Sequence, residues 1–274
     1  YKSISVPGMF WMTAVLAVAG IVVILFVVPT PEQSTIHRDA EVVSGQVGRV
    51  LHNIELLRLD FGIFVLHLIM TALFLAYPLL LRDMGGIASE DHWTVYLPVL
   101  VLSIMLMVPF IIFAERKGKT KQVFLFAITA LAVGLFGIGE LASGKWGLVG
   151  WLLLFFAAFN LLEASLPSLI SKIAPADAKG TAMGVYSTSQ FAGAFLGGAA
   201  GGLVHQQFGA QAVLLFSAGM AVLWLLFAAS MKSPEPLRPR LVNIRNMTGS
   251  SGEISNMLHK IAGVREVVVV PDEG

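Results

Sequence analysis

Seven stretches of apolar residues, separated by short polar connections, dominate the pattern of this 274-residue chain. A helix needs about 20 mostly apolar residues to cross a hydrocarbon core of roughly 30 Å. The stretches meet that length, and they predict membrane-spanning helices at residues 9–28, 61–81, 93–113, 123–142, 146–170, 180–204 and 210–231. The chain is therefore predicted to be an all-α polytopic membrane protein.

The lysines and arginines between these spans predict which way the chain is threaded. Cytoplasmic loops of membrane proteins retain positive charge. One set of connections holds nine cations: Arg38, Arg49, Arg58, Arg116, Lys117, Lys119, Lys121, Lys172 and Lys179. The alternating set holds three: Lys2, Arg82 and Lys145. The first set and the basic C-terminal tail are therefore predicted to be cytoplasmic, with Tyr1 on the outside.

Two regions outside the spans carry patterns of their own. In residues 31–58, apolar side chains recur at intervals of three and four, which predicts an amphipathic cytoplasmic helix: Val43, Val47, Val50, Ile54 and Leu57. Residues 233–239 form a proline-rich linker. Beyond it, the pattern predicts a strand at 240–245, a helix at 252–262 and a second strand at 265–270. This small α/β piece has the βαβ order of a partial ferredoxin-like domain.

The composition excludes several classes of protein. Charged residues make up 13% of the chain, whereas a soluble domain is about one quarter charged. The net charge of +1 and the dispersed cations do not predict a nucleic-acid-binding face. The chain lacks cysteine, and its six histidines show no zinc-binding spacing, so neither a metal site nor a cofactor is predicted. The sequence does not predict an enzyme.

A dense group of charges, "FAERKGKTK" at residues 113–121, separates two uncharged spans. It resembles the loop signature of the major facilitator superfamily, usually written G-x-L-A-D-R-x-G-R-K. The matching residues are Ala114, Glu115, Arg116, Gly118 and Lys119, with Glu in place of Asp and Ile111 in place of the first Gly. The stretch 159–198 also resembles the tenth and eleventh helices of the drug:proton antiporter branch. The cytoplasmic tail narrows the resemblance to the YajR-like transporters.

This resemblance implies half of a major-facilitator-type bundle, corresponding to helices six to twelve plus part of a tail domain. On that register, residues 1–30 are the last helix of a preceding six-helix half, and residues 31–58 link the halves. The second bundle is 59–232, the linker 233–239 and the tail piece 240–274. The family signature also implies a clasp, in which Glu115 meets the N-terminus of the helix at 180–204. The alternative is a solvated basic loop.

Ionisable side chains inside the spans are candidates for chemistry, because a charge in the membrane is costly. The spans contain His67, Glu140 and Glu163. Glu163 shares a helix face with Asn160 and with Pro167, which leaves the carbonyl of Glu163 without an intrahelical partner. His67 and Glu163 lie at similar depths, so we expect them to approach each other and to couple transport to protons. The alternative is that Glu163 bonds Asn160 and only fixes a kink, and that His67 is a packing residue.

The span at 180–204 has a polar half and a glycine-rich half. Tyr186 and Gln190 lie one turn apart, and Gln190 reaches the middle of the membrane. Gln190 is predicted either to line a polar cavity or to form an interhelical hydrogen bond. Gly193, Gly197 and Gly201 continue the same four-residue spacing and predict close packing against another helix.

Taken together, these patterns predict a secondary transporter of a bacterial inner membrane. It would export small molecules in exchange for protons by alternating access, with the lipid bilayer and the preceding six-helix half as partners. The alternative is a seven-span receptor that signals through its tail. In a receptor all seven spans would share one core, whereas in a transporter the first span would stand apart from the other six.

Overall fold

The computed structural model describes residues 6–29, 44–175, 178–232, 251–261, 264 and 267. Within these ranges the chain is helical and contains no strand. The helices are α1 (Val6–Phe26), α2 (Val47–Leu51), α3 (Ile54–Asp83), α4 (Trp93–Lys117), α5 (Thr120–Phe136), α6 (Gly144–Ile173), α7 (Lys179–Ala229) and α8 (Ser251–His259). Short 3₁₀ turns occupy Ser44–Gln46 and Ser89–Asp91, and a π-helical segment at Gly137–Leu141 extends α5.

Six of these helices are long and apolar enough to cross a membrane: α1, α3, α4, α5 with its π-helical extension, α6 and α7. Each predicted span overlaps one of them. Helix α7 holds two spans, because its 51 residues would measure about 77 Å if straight. Gly209 breaks it with φ 84° and ψ 177°, a conformation open essentially to glycine alone.

The chain reverses direction at this break. The Val213 Cγ1 atom lies 3.7 Å from the position that a Cβ on Gly201 would occupy, although twelve residues separate the two along the chain. In a continuous helix they would be about 18 Å apart. Residues 179–208 and 210–229 therefore form two antiparallel arms, as the two predicted spans require.

Glycines hold the first arm of α7 directly against α3. A Cβ on Gly193 would overlap the carbonyl oxygen of Phe64, and one on Gly197 would lie 2.7 Å from the Leu68 Cα atom. Both contacts step by four residues in the same direction, so the two helices run parallel. The predicted close packing at these glycines is present, since no side chain separates the two backbones.

The buried core draws on α3, α4, α5, α6 and α7. Its largest fully buried side chains include Tyr77, Phe155, Phe156 and Trp224. Of the described residues, none in α1 belongs to this core, and Phe26 at its end is 80% exposed. The first span therefore stands apart from the other six, which is the arrangement expected of a transporter rather than of a receptor.

The amphipathic pattern predicted before the bundle is divided between two helices, and its first apolar position, Val43, lies outside the described residues. The pattern extends through Leu57, but α2 ends at Leu51 and α3 begins at Ile54. Asn53 causes the interruption, because its side-chain oxygen accepts a hydrogen bond from the Glu55 N–H at 3.1 Å and so caps α3. The prediction of one continuous helix was therefore wrong. Among the apolar positions on its face, Val50 is buried.

The tail is described only around α8. This helix confirms the predicted helix at 252–262. The predicted strand at 240–245 lies outside the described residues, as does the strand at 265–270 apart from Val267, which is in neither a helix nor a strand. The proposed α/β character of the tail therefore has no support in the described part of the chain.

The fold places the predicted cytoplasmic ends together. The Lys232 N–H, just after α7, donates to the Glu55 carboxylate in the first turn of α3 at 3.3 Å.

Because the chain lacks cysteine, single-cysteine variants report membrane sidedness without background labelling. We expect a membrane-impermeant maleimide to label Lys145→Cys in intact cells, and Lys119→Cys only after the membrane is opened. Labelling of Lys119→Cys in intact cells would reverse the orientation.

Candidate functional site

Three polar side chains from three helices meet within the bundle. His67 lies on α3, Glu163 on α6 and Gln190 on α7. The His67 Nε2 atom is 2.7 Å from the Gln190 Nε2 atom, and the His67 Nδ1 atom is 4.0 Å from the Glu163 Oε2 atom. The structure therefore brings together three residues that the sequence singled out, and the expected approach of His67 and Glu163 is present.

The hydrogen bond between His67 and Gln190 determines where the imidazole carries its proton. The nitrogen of a side-chain amide only donates, so the His67 Nε2 atom is the acceptor. A neutral imidazole with Nε2 as acceptor has its hydrogen on Nδ1. The Nδ1 atom lies 4.0 Å from the Glu163 Oε2 atom, which is beyond hydrogen-bond distance. Of the two roles predicted for Gln190, the structure shows the interhelical hydrogen bond.

Glu163 has few polar neighbours in the described part of the chain. Its Oε2 atom is buried and has no hydrogen-bond partner, although the side chain as a whole is 38% exposed. The side chain of His67 is 18% exposed. The pair therefore lies on the margin of the bundle rather than in its centre. Pro167, which was predicted to leave the Glu163 carbonyl without an intrahelical partner, lies inside α6, and the helix continues past it to Ile173.

Asn160 is bonded elsewhere than the sequence suggested. Its Nδ2 atom donates to the Ser103 hydroxyl on α4 at 2.8 Å, and that hydroxyl donates to the Leu100 carbonyl oxygen at 2.8 Å. The alternative in which Asn160 holds Glu163 is therefore not what this structure shows. Asn160 instead ties α6 to α4, and Glu163 is left free to interact with His67.

Two further buried polar residues, Tyr186 on α7 and Asp60 on α3, lie nearer the starts of their helices. Tyr186, predicted from its place one turn before Gln190, is 4% exposed, and its hydroxyl has no hydrogen-bond partner among the described residues. Asp60 is also 4% exposed. Sequence reasoning missed Asp60 because it stands one residue before the predicted start of its span.

One residue of the loop signature, Gly118, has a structural role as the C-terminal cap of α4. Gly118 ends α4 at φ 61°, a left-handed cap that favours glycine, and the next N–H, of Lys119, donates to the Ala114 carbonyl oxygen at 2.9 Å. The side chains of Glu115 and Arg116 are exposed. The predicted clasp is not formed in this structure, because Glu115 has no hydrogen bond or ion pair to the described part of α7.

Residues 59–263 match the family model described as Major Facilitator Superfamily. The chain belongs to the major facilitator superfamily. This confirms the resemblance that the loop signature and the helix pattern indicated. With its apolar helices, it is a multi-pass protein of the inner membrane.

Curated relatives of this superfamily member include proteins that are named as transporters. It is 41% identical to the inner membrane transport protein YajR of Escherichia coli K12 over 266 residues, which are 97% of this chain and 58% of that protein. It is 27% identical over 222 residues, 81% of this chain and 56% of the relative, to an uncharacterized transporter of Buchnera aphidicola subsp. Schizaphis graminum. It is 30% identical over 143 residues, half of this chain and 34% of the relative, to the multidrug resistance protein MdtG of Citrobacter koseri. The chain thus spans little more than half the length of YajR.

Proposed function

We propose that the chain supplies one half of a proton-coupled exporter that works by alternating access. The observation that carries this proposal is the position of His67, which bonds Gln190 on one side and faces Glu163 on the other. A small movement of either side chain would bring the carboxylate and the imidazole within hydrogen-bond distance, where they can share a proton, and such relays mark proton pathways in membrane transporters. Membership of a family of transporters and the similarity to MdtG support export of a small molecule.

Proton binding would change the charge of this site. With Glu163 ionised, the His67 Nδ1–H faces a negative charge across 4.0 Å. Once Glu163 is protonated, that attraction disappears and the site is neutral. Because Glu163 is partly exposed on the margin of the bundle, its charge would be felt by a substrate between this bundle and a second one. Proton binding and substrate binding would thereby influence each other.

The second bundle is part of the proposal. Residues 1–30 would be the last helix of a preceding six-helix half, and residues 31–58 would connect it to the bundle at 59–232. The exposed apolar surface of α1 is consistent with contacts to that half and to lipid. Residues 233–239 would link the bundle to the tail domain at 240–274. A seven-span receptor is disfavoured, because α1 contributes nothing to the described core.

Transport is tested with the full-length protein in everted membrane vesicles, using ethidium as the probe. An acidic vesicle interior is expected to drive ethidium accumulation, and a protonophore is expected to abolish it. Vesicles without the protein provide the baseline. Protein-dependent accumulation that survives the protonophore would contradict proton coupling, and net movement in the opposite direction would contradict export.

A further inference from the structure

A groove of about 600 Å³ lies between α4 and α5, at the end where the loop signature joins the two helices. It is lined by Pro109, Phe110 and Phe113 of α4, by Lys119 of the loop, and by Gln122, Val123 and Phe126 of α5. Val123 is buried, and the other lining residues are exposed. The groove is therefore open at the surface, and none of its residues belongs to the site of His67, Glu163 and Gln190.

The groove exists because one stretch of α4 is not packed into the bundle. Along α4, no residue between Ser103 and Ala114 is buried. On α5, by contrast, Val123, Phe124 and Ala127 are buried. Helix α5 is thus held by the core, while the neighbouring stretch of α4 leaves its apolar side chains uncovered beside it.

The walls of the groove are aromatic and lie at the depth of lipid chains. The rings of Phe110 and Phe126 stack across it, with centroids 5.6 Å apart and planes 18° apart. Each of these residues is eight positions from Gly118, so the walls extend roughly 10 Å from the ends of the helices. One leaflet of the hydrocarbon core is about 15 Å thick. The groove therefore lies within a single leaflet.

The mouth of the groove is positively charged. The Lys119 Nζ atom lies over the Phe113 ring, 5.9 Å from its centroid, and this cation–π contact holds the ammonium group beside the aromatic wall. The loop at 115–121 holds four cations and one carboxylate: Arg116, Lys117, Lys119, Lys121 and Glu115. The excess of positive charge attracts an anionic group to this end of the groove.

Apolar walls below a positive mouth indicate an amphiphile with an anionic head. A small anion such as phosphate would leave the aromatic walls unused, and an uncharged lipid would leave the cations unused. Clusters of about four to eight lysines and arginines beside a spanning helix are typical of sites for anionic lipids. The loop also belongs to the connections predicted to be cytoplasmic, where the leaflet carries negative charge. Charge and depth therefore favour the same occupant.

We propose that this groove binds one anionic phospholipid of the leaflet on the side of the loop signature. The phosphate accepts a hydrogen bond from the Lys119 ammonium group, and the Gln122 side-chain amide donates to an oxygen of the headgroup. One acyl chain lies along Phe110 and Phe126. The lipid fills the space beside α4 that the bundle leaves open. This inference does not depend on proton coupling or on the direction of transport.

Native mass spectrometry of the purified full-length protein, titrated with dioleoyl phosphatidylglycerol, tests the charged end. One molecule is expected to bind more tightly than dioleoyl phosphatidylcholine does. Lys119→Gln should weaken this binding about fivefold, the effect of one lysine at an anionic surface, and Lys119→Arg should retain it. Lys145→Gln is the matched control, because the Lys145 Nζ atom also lies over a ring, 5.6 Å from the centroid of Trp146, but outside the groove. Equal binding of the two lipids, or equal effects of the two glutamine variants, would overturn the proposal.

Phe126→Ala tests the apolar wall without changing the charge. It should weaken binding of phosphatidylglycerol by about twofold or more, because the acyl chain loses its packing partner. Phe136→Ala is the matched control, since Phe136 is also exposed on α5 but does not line the groove. Both side chains are exposed, so the buried core stays intact.

Two further results would contradict the lipid site. If Lys119→Gln weakened binding and Phe126→Ala did not, then the loop would attract lipid by charge alone and the groove would play no part. If glycerol phosphate in large excess displaced the lipid, then the headgroup alone would be recognised. Absence of a tightly bound phosphatidylglycerol in the full-length protein would show that the preceding half covers the groove, which also overturns the proposal.

Discussion

Gly197→Ala is expected to destabilise the bundle strongly. The new Cβ would lie 2.7 Å from the Leu68 Cα atom and would overlap the Leu68 carbonyl oxygen. Because these are backbone atoms, α3 and α7 must separate to make room. Overpacking a core costs about 1–3 kcal/mol and occasionally more, and this contact belongs at the upper end. The expected result is a lower melting temperature of the purified protein.

Gly202→Ala is the matched control on the same helix. A Cβ at Gly202 has no heavy atom within 4 Å. Alanine is favoured over glycine in a helix by about 1 kcal/mol, so this variant should be as stable as the natural chain or more so. The two substitutions add the same methyl group and are expected to shift the melting temperature in opposite directions. Equal shifts would show that α3 and α7 are not packed backbone to backbone.

Glu163→Gln is expected to abolish proton-driven accumulation of ethidium in the everted vesicles. The amide keeps the size and hydrogen-bonding capacity of the side chain but cannot exchange a proton with His67. Energy-independent exchange of the probe across the membrane should persist, because the substrate path and the moving helices are unaltered. The expected signature is therefore a transporter that still exchanges its substrate but no longer responds to an imposed pH gradient.

Glu140→Gln serves as the control for that experiment. Glu140 also falls within a predicted span, but the structure places it in the π-helical segment, where its side chain is exposed. Proton-driven accumulation should be unchanged in this variant. If Glu163→Gln behaved like Glu140→Gln, then the proton would be coupled elsewhere and His67 with Glu163 would be a packing pair.

Hydropathy was sufficient to predict the number and order of the spans, although α3 begins at Ile54, seven residues before the predicted start of its span. Helices must satisfy their own backbone inside a membrane, so a long apolar stretch has little choice of structure. The local details of the helices were harder to predict from the sequence. Nothing in the apolar run at 123–142 distinguishes the π-helical end at Gly137–Leu141 from ordinary α-helix. The cap at Asn53 was overlooked because the period of the apolar residues continues across it.

The site was predictable in part. Glu163, His67 and Gln190 stood out because polar groups are rare in these spans, and their depths could be compared by counting turns. Their partners depended on the rotation of each helix, which the sequence does not report, and so the hydrogen bond from Asn160 to Ser103 was not predicted. Asp60 was missed because its position beside Arg58 is typical of a solvated helix end. Its burial arises only when α3 packs within the bundle.

The contact of α3 with the glycines of α7 has a further consequence for motion. Where two backbones touch, neither helix can slide or turn past the other without breaking the contact, so the pair travels as one rigid unit. The hydrogen bond between His67 and Gln190 lies within that unit and would keep its length in the rocking motion proposed above. Glu163 lies on α6, outside that unit, so the 4.0 Å gap between the His67 Nδ1 and Glu163 Oε2 atoms separates the unit from a different helix. In the transport cycle proposed above, that gap would be the distance free to open and close, and it would therefore admit or withhold a proton.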